Sequence, residues 1–451
     1  MIRRIALTVV GADRDARTPA RWFVVLAVFV ATLVLTLFRV PPGSWNILWA
    51  EDGAVFVTGA FGGDPWVFAQ TYVGYLHIVP RALTALSVAV VGVQWVPLAM
   101  AILAALTVAA TATAVFCFAK TRLTSTWVCV LLAVQVAILP IAGGEVALSV
   151  ANLHWYLMVG AFWAAIVTPA SRWLTVVQCV IVAAAVLSDP LGALLVFPLA
   201  LARVIAVRPF SGRRHAVTWA FLGASVIQGL ASVAATFLRD ERNGSSFLPS
   251  FAEFSGAYSG RVVLNSFVGP TGTTALVESL GTVALVVAFV VAAAIVGTVA
   301  WRDPERRWLV VALAAASVCF SIVVFCLKWE GLVGVPYGAL APGGRYLVVP
   351  VLLLFSAYAV AADSFSQLLA PRRLALVPIL ALAAIVVIPG VVDYRIADVR
   401  AEAPSWQSAL DTAADLCTAN PDQPYAAVTI APTWFGGAVI GCDVVVAARS
   451  H

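Results

Sequence analysis

Charged residues are scarce in this chain. Only 11% of its 451 residues are Asp, Glu, Lys or Arg, whereas 62% are hydrophobic. Soluble domains carry roughly 25% charged residues, so the composition excludes a soluble globule and indicates a polytopic membrane protein. Lysine is almost missing, since Lys120 and Lys328 are the only two. The net charge of +5 reflects arginines between apolar segments, and we infer no nucleic-acid partner from it.

Histidine and cysteine give no sign of a metal centre. The four histidines are scattered, and the seven cysteines include no CxxC pair. Five cysteines lie in apolar segments, where they serve as small hydrophobic side chains. Cys417 and Cys442 lie in the polar C-terminal segment, and they can form a disulfide if that segment is extracytoplasmic.

Long apolar segments follow one another along most of the chain. A membrane-spanning helix needs about 20 apolar residues, and on this criterion we predict about eleven spans in an all-α polytopic membrane protein. The first is followed by no small-residue cleavage site, so we expect no cleavable signal peptide. The predicted spans lie near 22–39, 95–119, 125–142, 155–169, 173–188, 190–207, 216–238, 279–300, 308–327, 346–363 and 374–392.

The distribution of arginine predicts the orientation of these spans. With the N-terminus in the cytoplasm, most of the 27 basic residues fall in short cytoplasmic loops, as the positive-inside rule requires. The apolar segment 78–92 is short, and we interpret it as a helix in the outer interface of the membrane. The predicted organisation is a cytoplasmic N-terminus at 1–21, a transmembrane domain at 22–392 with a long first outer loop at 40–94, and an extracytoplasmic cap at 393–451.

The cap has the pattern of a small α+β segment. Apolar residues recur at nearly helical spacing from Trp406 to Cys417. Residues 426–430 and 439–446 have the composition of strands. A segment of this size builds little core of its own, so we expect it to pack on the outer loops with a Cys417–Cys442 disulfide as its link.

Two adjacent carboxylates, Glu51 and Asp52, directly follow the first span. A bland interpretation is that they are solvated in a loop. Their position near the membrane, between Trp49 and an apolar run, predicts instead partial desolvation, which raises the basicity of a carboxylate and suits a general base. A third interpretation is that the pair binds a divalent cation through its oxygens.

Aromatic and basic residues follow in the same loop. Tyr72, Tyr75 and His77 lead into the interfacial segment, and Arg81 lies near its start. Such residues can form an aromatic belt at the membrane surface. The functional alternative is that the rings stack on a sugar while His77 and Arg81 contact a phosphate.

Further polar residues lie at span ends on the same predicted face. Asn152 and His154 open the fourth span, and Asp189 separates two later ones. Turns between helices carry such residues for conformational reasons alone, but here they are also candidates for hydroxyl recognition. Arg345 and Tyr346 precede the tenth span, where the guanidinium either reaches toward lipid phosphate or binds the phosphate of a lipid-linked substrate.

The order of these features along the chain resembles that of the GT-C superfamily of integral membrane glycosyltransferases. The resemblance covers one N-in span, the acidic pair Glu51 and Asp52 at the start of a long outer loop, an interfacial helix and many further spans. It implies inverting transfer of a sugar from a polyprenyl-phosphate donor, with Asp52, or else Glu51, as general base. The small C-terminal segment departs from the large carbohydrate-binding domains of arabinosyltransferase-like members.

The leading hypothesis is therefore a glycosyltransferase of the plasma membrane, where membrane lipids surround it. It acts outside the cell on a glycan or lipid of the cell envelope. A transporter or flippase of a lipid-linked sugar is the alternative, and it calls for ionisable residues in the middle of the membrane and paired broken helices. A third class is a scaffold whose outer cap recruits partners. If the protein is a scaffold, neutralising the outer acidic residues leaves its function intact.

Overall fold

The computed structural model describes residues 1–11, 21–168, 171–207, 212, 215–237, 249–328, 332–333, 343–369, 372–395 and 399–449. Helices dominate this part of the chain because long apolar segments satisfy their own backbone hydrogen bonds only as helices. The helices of the first half are α1 Ile2–Val9, α2 Trp22–Leu37, α3 Thr58–Phe61, α4 Ile78–Val90, α5 Val96–Arg122, α6 Thr126–Ile138, α7 Leu153–Ala165, α8 Arg172–Ser188 and α9 Pro190–Ala206.

The second half of the chain continues the bundle and ends in a small mixed unit. Its helices are α10 Ala216–Phe237, α11 Phe251–Ala257, α12 Asn265–Leu280, α13 Thr282–Arg302, α14 Arg307–Leu327, α15 Val348–Leu368, α16 Val377–Val392, α17 Trp406–Ala419 and α18 Cys442–Ala448. Two antiparallel strand pairs complete the structure, β1 Thr71–Tyr72 with β2 Tyr75–Leu76, and β3 Tyr425–Thr429 with β4 Gly437–Gly441.

Six helical segments in the described residues are long and apolar enough to cross a membrane. The remaining predicted spans, which correspond to α2, α6, α7, α8 and α9, are helices of 13 to 17 residues. The membrane-protein class is thus confirmed, while the number of crossings stays a prediction. The six segments are Val93–Arg122, Ala216–Thr236, Thr282–Arg302, Arg307–Leu327, Gly344–Leu368 and Arg373–Val392.

Two helices form the interior of the bundle. Every residue of α7 is buried, as is every residue of α15 from Val348 to Ser364. A helix that is hydrophobic on all sides has no face to present to water, and here both helices are enclosed by their neighbours. A hydrogen bond from Trp163 Nε1 to Ser356 Oγ, 3.2 Å long, joins the two.

Buried polar side chains cap the C-terminal end of α7. Arg122, Gln178 and Arg203, each from a different helix, donate to the carbonyls of residues 164–167 over 2.6 to 2.9 Å. These are the carbonyls that a helix end leaves without an intrahelical partner. Arg122 and Arg203 are among the basic residues that the predicted orientation places in cytoplasmic loops, whereas in the structure both are buried and bind backbone.

The segment between the predicted spans 216–238 and 279–300 is largely helical. In its described part, α11, a π-helical turn at Tyr258–Leu264 and α12 follow one another directly. Gly269 is non-helical, with φ 71° and ψ 178°, so α12 consists of two helices joined at a kink at Gly269 and Pro270. Residues 238–248 of the same predicted segment lie outside the described residues.

The C-terminal segment has the predicted mixed structure, with one error. The disulfide between Cys417 and Cys442 is present, and it links α17 to α18. Strand β3 matches the predicted strand, but β4 ends at Gly441 and the next seven residues are helical. The predicted strand at 439–446 was thus right for 439–441 and wrong for 442–446, because so short an apolar run does not distinguish a strand from a helix.

Candidate functional site

A cavity of about 520 Å³ lies at one end of the bundle, and six parts of the chain line it. They are the start of the first long loop, the β1–β2 hairpin, the N-terminal end of α7, the α8–α9 turn, the C-terminal end of α14 and the turn before α15. The cavity therefore lies among loops and helix ends at one face of the bundle.

The two adjacent carboxylates have different environments. The Glu51 side chain lines the cavity, and its Oε1 lies 3.3 Å from Arg345 Nη1. Asp52 does not line the cavity in the described structure and is almost completely buried, with 3% of its surface exposed. Ala50, which precedes the pair, has a left-handed φ of 40°. Glu51 is helical and Asp52 begins a π-helical turn, Asp52–Val57, so the two side chains project to different sides.

Asp52 connects the first loop to the loop before α7. Its Oδ1 accepts hydrogen bonds from the backbone N–H of Ala151 at 2.8 Å and from Ser149 Oγ at 3.2 Å. Burial raises the pKa of Asp52 to about 7, although these hydrogen bonds oppose the shift.

Arg345 lies between two carboxylates at the edge of the cavity. Its Nη1 is 3.3 Å from Glu51 Oε1 and 3.8 Å from Glu145 Oε2. Glu145 Oε1 also accepts hydrogen bonds from the backbone N–H groups of Gly343 and Arg345, which orients the turn before α15. The guanidinium stacks on the ring of Tyr346 at 5.2 Å, and Lys328 Nζ lies 5.7 Å from the same ring.

A chain of rings forms one wall of the cavity. The centroids of Tyr75 and His77 are 4.4 Å apart, those of His77 and His154 are 6.2 Å apart, and His154 is 4.4 Å from Trp155. Trp155 continues the series to Tyr346 at 5.3 Å. Such a wall offers ring faces and edges to a sugar-sized ligand.

The β1–β2 hairpin carries two of these rings because of its tight turn. Val73 and Gly74 both have positive φ, at 56° and 95°, as a two-residue turn of type I′ requires. Tyr72 and Tyr75 are therefore paired across the strands. Burial, followed by the nearby charge of Arg81, lowers the pKa of His77 to about 4, so this ring is neutral at pH 7.

A buried acid lies on the opposite side of the histidine pair. Asp189 Oδ1 accepts from the backbone N–H of Leu191 at 2.8 Å and thereby caps α9. Its Oδ2 lies 3.3 Å from His154 Nε2. Burial raises the pKa of Asp189 to about 7, so this carboxyl can hold or release a proton near neutral pH.

Besides Tyr72, eight of the ten other candidate residues from the sequence line the cavity. Asp52 and Arg81 do not: Arg81 is buried behind the wall, with its guanidinium 5.6 Å from the Phe56 ring. Asn152 lines the cavity but uses its amide structurally, since Nδ2 donates to Glu145 O and to Ser149 Oγ. The eight are Glu51, Tyr75, His77, Asn152, His154, Asp189, Arg345 and Tyr346.

Sequence reasoning did not single out three residues of this site. Lys328 ends α14 at the cavity, and a charge at the end of a span was the available signal. Glu145 orients the turn that carries Arg345, but its partner lies 200 positions away in the sequence, and no local pattern reveals the contact. Trp155 resembles any other apolar residue of a span.

A divalent cation does not fit the acidic pair well. Glu51 is engaged with Arg345, and Asp52 with Ala151 and Ser149. Among the described residues, no group of three or more His, Cys, Asp or Glu side chains is placed to hold a metal ion. The divalent cation therefore stays a prediction.

The fold around this cavity is similar to that of a solved GT-C glycosyltransferase structure. The chain is similar to a cryo-electron microscopy structure of the arabinofuranosyltransferase AftD from mycobacteria, with a TM-score of 0.52 and 14% identity. The similarity covers 96% of this chain and 32% of the AftD chain, so this chain spans about a third of the length of that enzyme. No protein-family model and no curated protein matches the chain. The resemblance to the GT-C superfamily is thus confirmed at the level of the fold.

Proposed function

We propose that the protein is a membrane glycosyltransferase that moves a sugar from a polyprenyl-phosphate donor to a glycan or lipid of the cell envelope. The observation that carries the proposal is the contact between Glu51 and Arg345 inside an aromatic cavity. Such a transfer needs a base for the acceptor hydroxyl and a cation for the phosphate, and this pair supplies both. The fold shared with an arabinofuranosyltransferase supports the same conclusion.

The cationic side of the cavity suits the donor phosphate. A sugar–phosphate–lipid diester carries one negative charge, and the lipid phosphate that leaves carries up to two. Lys328 and Arg345, which both lie near the Tyr346 ring, would stabilise the charge that develops on the leaving oxygen. Val324 and Leu327 line the same side and give the first units of the lipid an apolar surface.

Glu51 is the group that we assign as general base. In the reaction, the acceptor hydroxyl gives its proton to the carboxylate, and its oxygen forms a bond to the anomeric carbon. The bond from that carbon to the phosphate oxygen breaks, and its electron pair leaves with the phosphate. Attack from the side opposite the leaving group inverts the configuration at the anomeric carbon.

The choice of Glu51 over Asp52 rests on access. Glu51 lines the cavity, and its Oε2, although buried, has no hydrogen-bond partner among the described residues. Asp52 is buried and already accepts from Ala151 and Ser149. We therefore propose that Asp52 aligns the two loops while its neighbour accepts the proton, which reverses the order of preference that the sequence suggested.

The outer face of the plasma membrane is the proposed location of the site, with the N-terminus inside and the C-terminus outside. The Cys417–Cys442 disulfide supports this, since such bonds persist in oxidising compartments outside the cytosol. The C-terminal segment that contains the bond packs directly beside Glu51. The disulfide and the cavity therefore share one side.

The test compares Glu51→Gln with Asp52→Asn and wild type in nanodiscs. Radiolabelled polyprenyl-phosphate sugars, arabinofuranose first, are offered with an envelope acceptor, and transferred label is counted. A general base contributes roughly 10²–10⁴-fold, so we expect Glu51→Gln to lose at least a hundredfold in kcat and Asp52→Asn to lose less. Wild-type transfer by Glu51→Gln would refute the role of Glu51, and loss in Asp52→Asn alone would assign the base to Asp52.

A further inference from the structure

The C-terminal segment, residues 399–449, contacts both loops that carry the acidic part of the site. On the first loop, Ala431 forms a parallel bridge with Trp49: its carbonyl accepts from the N–H of Ala50, and its N–H donates to Leu48 O at 2.9 Å. Ala431 itself is fully buried. The segment thus adds a short strand-like contact one residue before Glu51.

A second set of contacts surrounds the first. The Ile430 side chain packs on Gly53, so closely that a Cβ at position 53 would lie 2.7 Å from Ile430 Cγ2. The backbone N–H of Val439 donates to Thr58 Oγ1 at 2.9 Å. The turn that contains both carboxylates is therefore held from its start to its end.

The same segment reaches the loop that holds Asp52. Arg400 Nη2 donates to Ala147 O at 2.6 Å. Leu148, the next residue, has a left-handed φ of 55°, and Ser149 directly follows with its hydroxyl on Asp52.

The strained backbone positions coincide with these contacts. In the described residues, three non-glycine residues have positive φ: Ala50, Val73 and Leu148. The hairpin turn accounts for Val73, whereas Ala50 receives its contact from Ala431 and Leu148 follows the residue bound by Arg400. L-residues leave the left-handed region unless surrounding structure holds them there, and the C-terminal segment supplies hydrogen bonds at both places.

We propose, on the basis of the function above, that the C-terminal segment is a positioning element of the active site. By holding Ala50 and Leu148 in left-handed conformations, it directs the Glu51 carboxylate into the cavity and Asp52 away from it. The segment touches neither cavity nor substrate in this role. Its effect on transfer passes through the orientation of Glu51.

The substitution Gly53→Ala tests this role. The added methyl group collides with the Ile430 side chain, which must shift, and we expect the segment that carries it to shift as well, while alanine is otherwise the better residue in a helix. Gly43→Ala is the matched control in the same loop, since nothing lies within 4 Å of a Cβ there. The double variant Gly53→Ala/Ile430→Ala removes the collision and serves as the rescue.

Each variant is studied as the full chain in nanodiscs with two measurements. Amide hydrogen exchange of residues 47–58 reports docking of the segment, and kcat and KM are measured with radiolabelled polyprenyl-phosphate arabinofuranose. For Gly53→Ala we expect faster exchange near Ala50, a kcat at least tenfold lower and a donor KM within twofold of wild type. We expect wild-type behaviour from the control and recovery of both measurements in the double variant.

Other outcomes overturn the positioning role. Faster exchange with an unchanged kcat in Gly53→Ala would show that docking does not matter for transfer. An equal loss of donor affinity would show general disruption of the site. Glu51→Gln, measured alongside, separates the two proposals: wild-type transfer there defeats the proposed function, whereas an inactive Glu51→Gln beside a fully active Gly53→Ala defeats the positioning role alone.

Discussion

Asp52→Asn changes how the stability of the protein depends on pH. Burial raises the pKa of Asp52 from 3.8 to about 7. Between these values the folded state binds a proton that the unfolded state has released, so the free energy of unfolding falls as pH rises from about 4 to about 7. Three pH units at ~1.4 kcal/mol each give an upper bound of about 4 kcal/mol.

Asparagine keeps the oxygen that accepts from Ala151 and Ser149 but cannot ionise. We therefore expect Asp52→Asn to match wild type only below about pH 4, to be more stable by about 1.6 kcal/mol at pH 5, and to be more stable by up to about 4 kcal/mol, or a few degrees in Tm, at pH 8. Tryptophan fluorescence during heating in detergent, at pH 5, 6, 7 and 8, measures the difference. Histidines such as His77 titrate in the opposite direction, but their contribution cancels between the two proteins.

The control is Asp422→Asn, which changes an exposed carboxylate and is expected to leave Tm unchanged at every pH. A difference between Asp52→Asn and wild type that stays constant from pH 5 to pH 8 would contradict the argument. So would a variant that is less stable than wild type at pH 8. That result would mean that the ionised carboxylate stabilises the fold.

Two further predictions concern stability. Arg203→Leu leaves the carbonyls at the end of α7 with fewer hydrogen-bond donors, and we expect the free energy of unfolding to fall by about 3 kcal/mol in the same heating experiment. The control Arg172→Ala changes an exposed arginine, and we expect it to cost less than ~0.5 kcal/mol. Cys417→Ser/Cys442→Ser opens a link with a sequence separation of 25, which we expect to destabilise the C-terminal segment by roughly 3 kcal/mol. Limited proteolysis reads this out, and equal cleavage of variant and wild type would contradict it.

Much of the site was predictable from the polar residues at the ends of the predicted spans. Successive antiparallel helices bring every second loop to the same face, so polar residues at alternate span ends meet there. This reasoning brought Asp189 and Arg345 together with Glu51, although they are far apart in the sequence.

The order of roles within the acidic pair was not predictable. Glu51 and Asp52 are adjacent and chemically alike, and the helical turn that points them to different sides follows a left-handed φ at Ala50. That conformation depends on Ala431, which lies 381 positions later in the chain and has no local signal. In the same way, the apolar sequence of α7 does not show that the helix is buried, because lipid-facing and interior helices have similar composition.

The complete enclosure of α7 bears on how the protein is made. Most spans can settle against lipid as soon as they are inserted, but α7 has no side that faces lipid in the finished bundle. Of its neighbours, α5 precedes it in the chain, whereas α8, α9 and α15 are synthesised after it, and α15 comes much later. We expect nascent chains that stop before α15 to be held by insertion factors or degraded, so that the late helices act as a checkpoint in biogenesis.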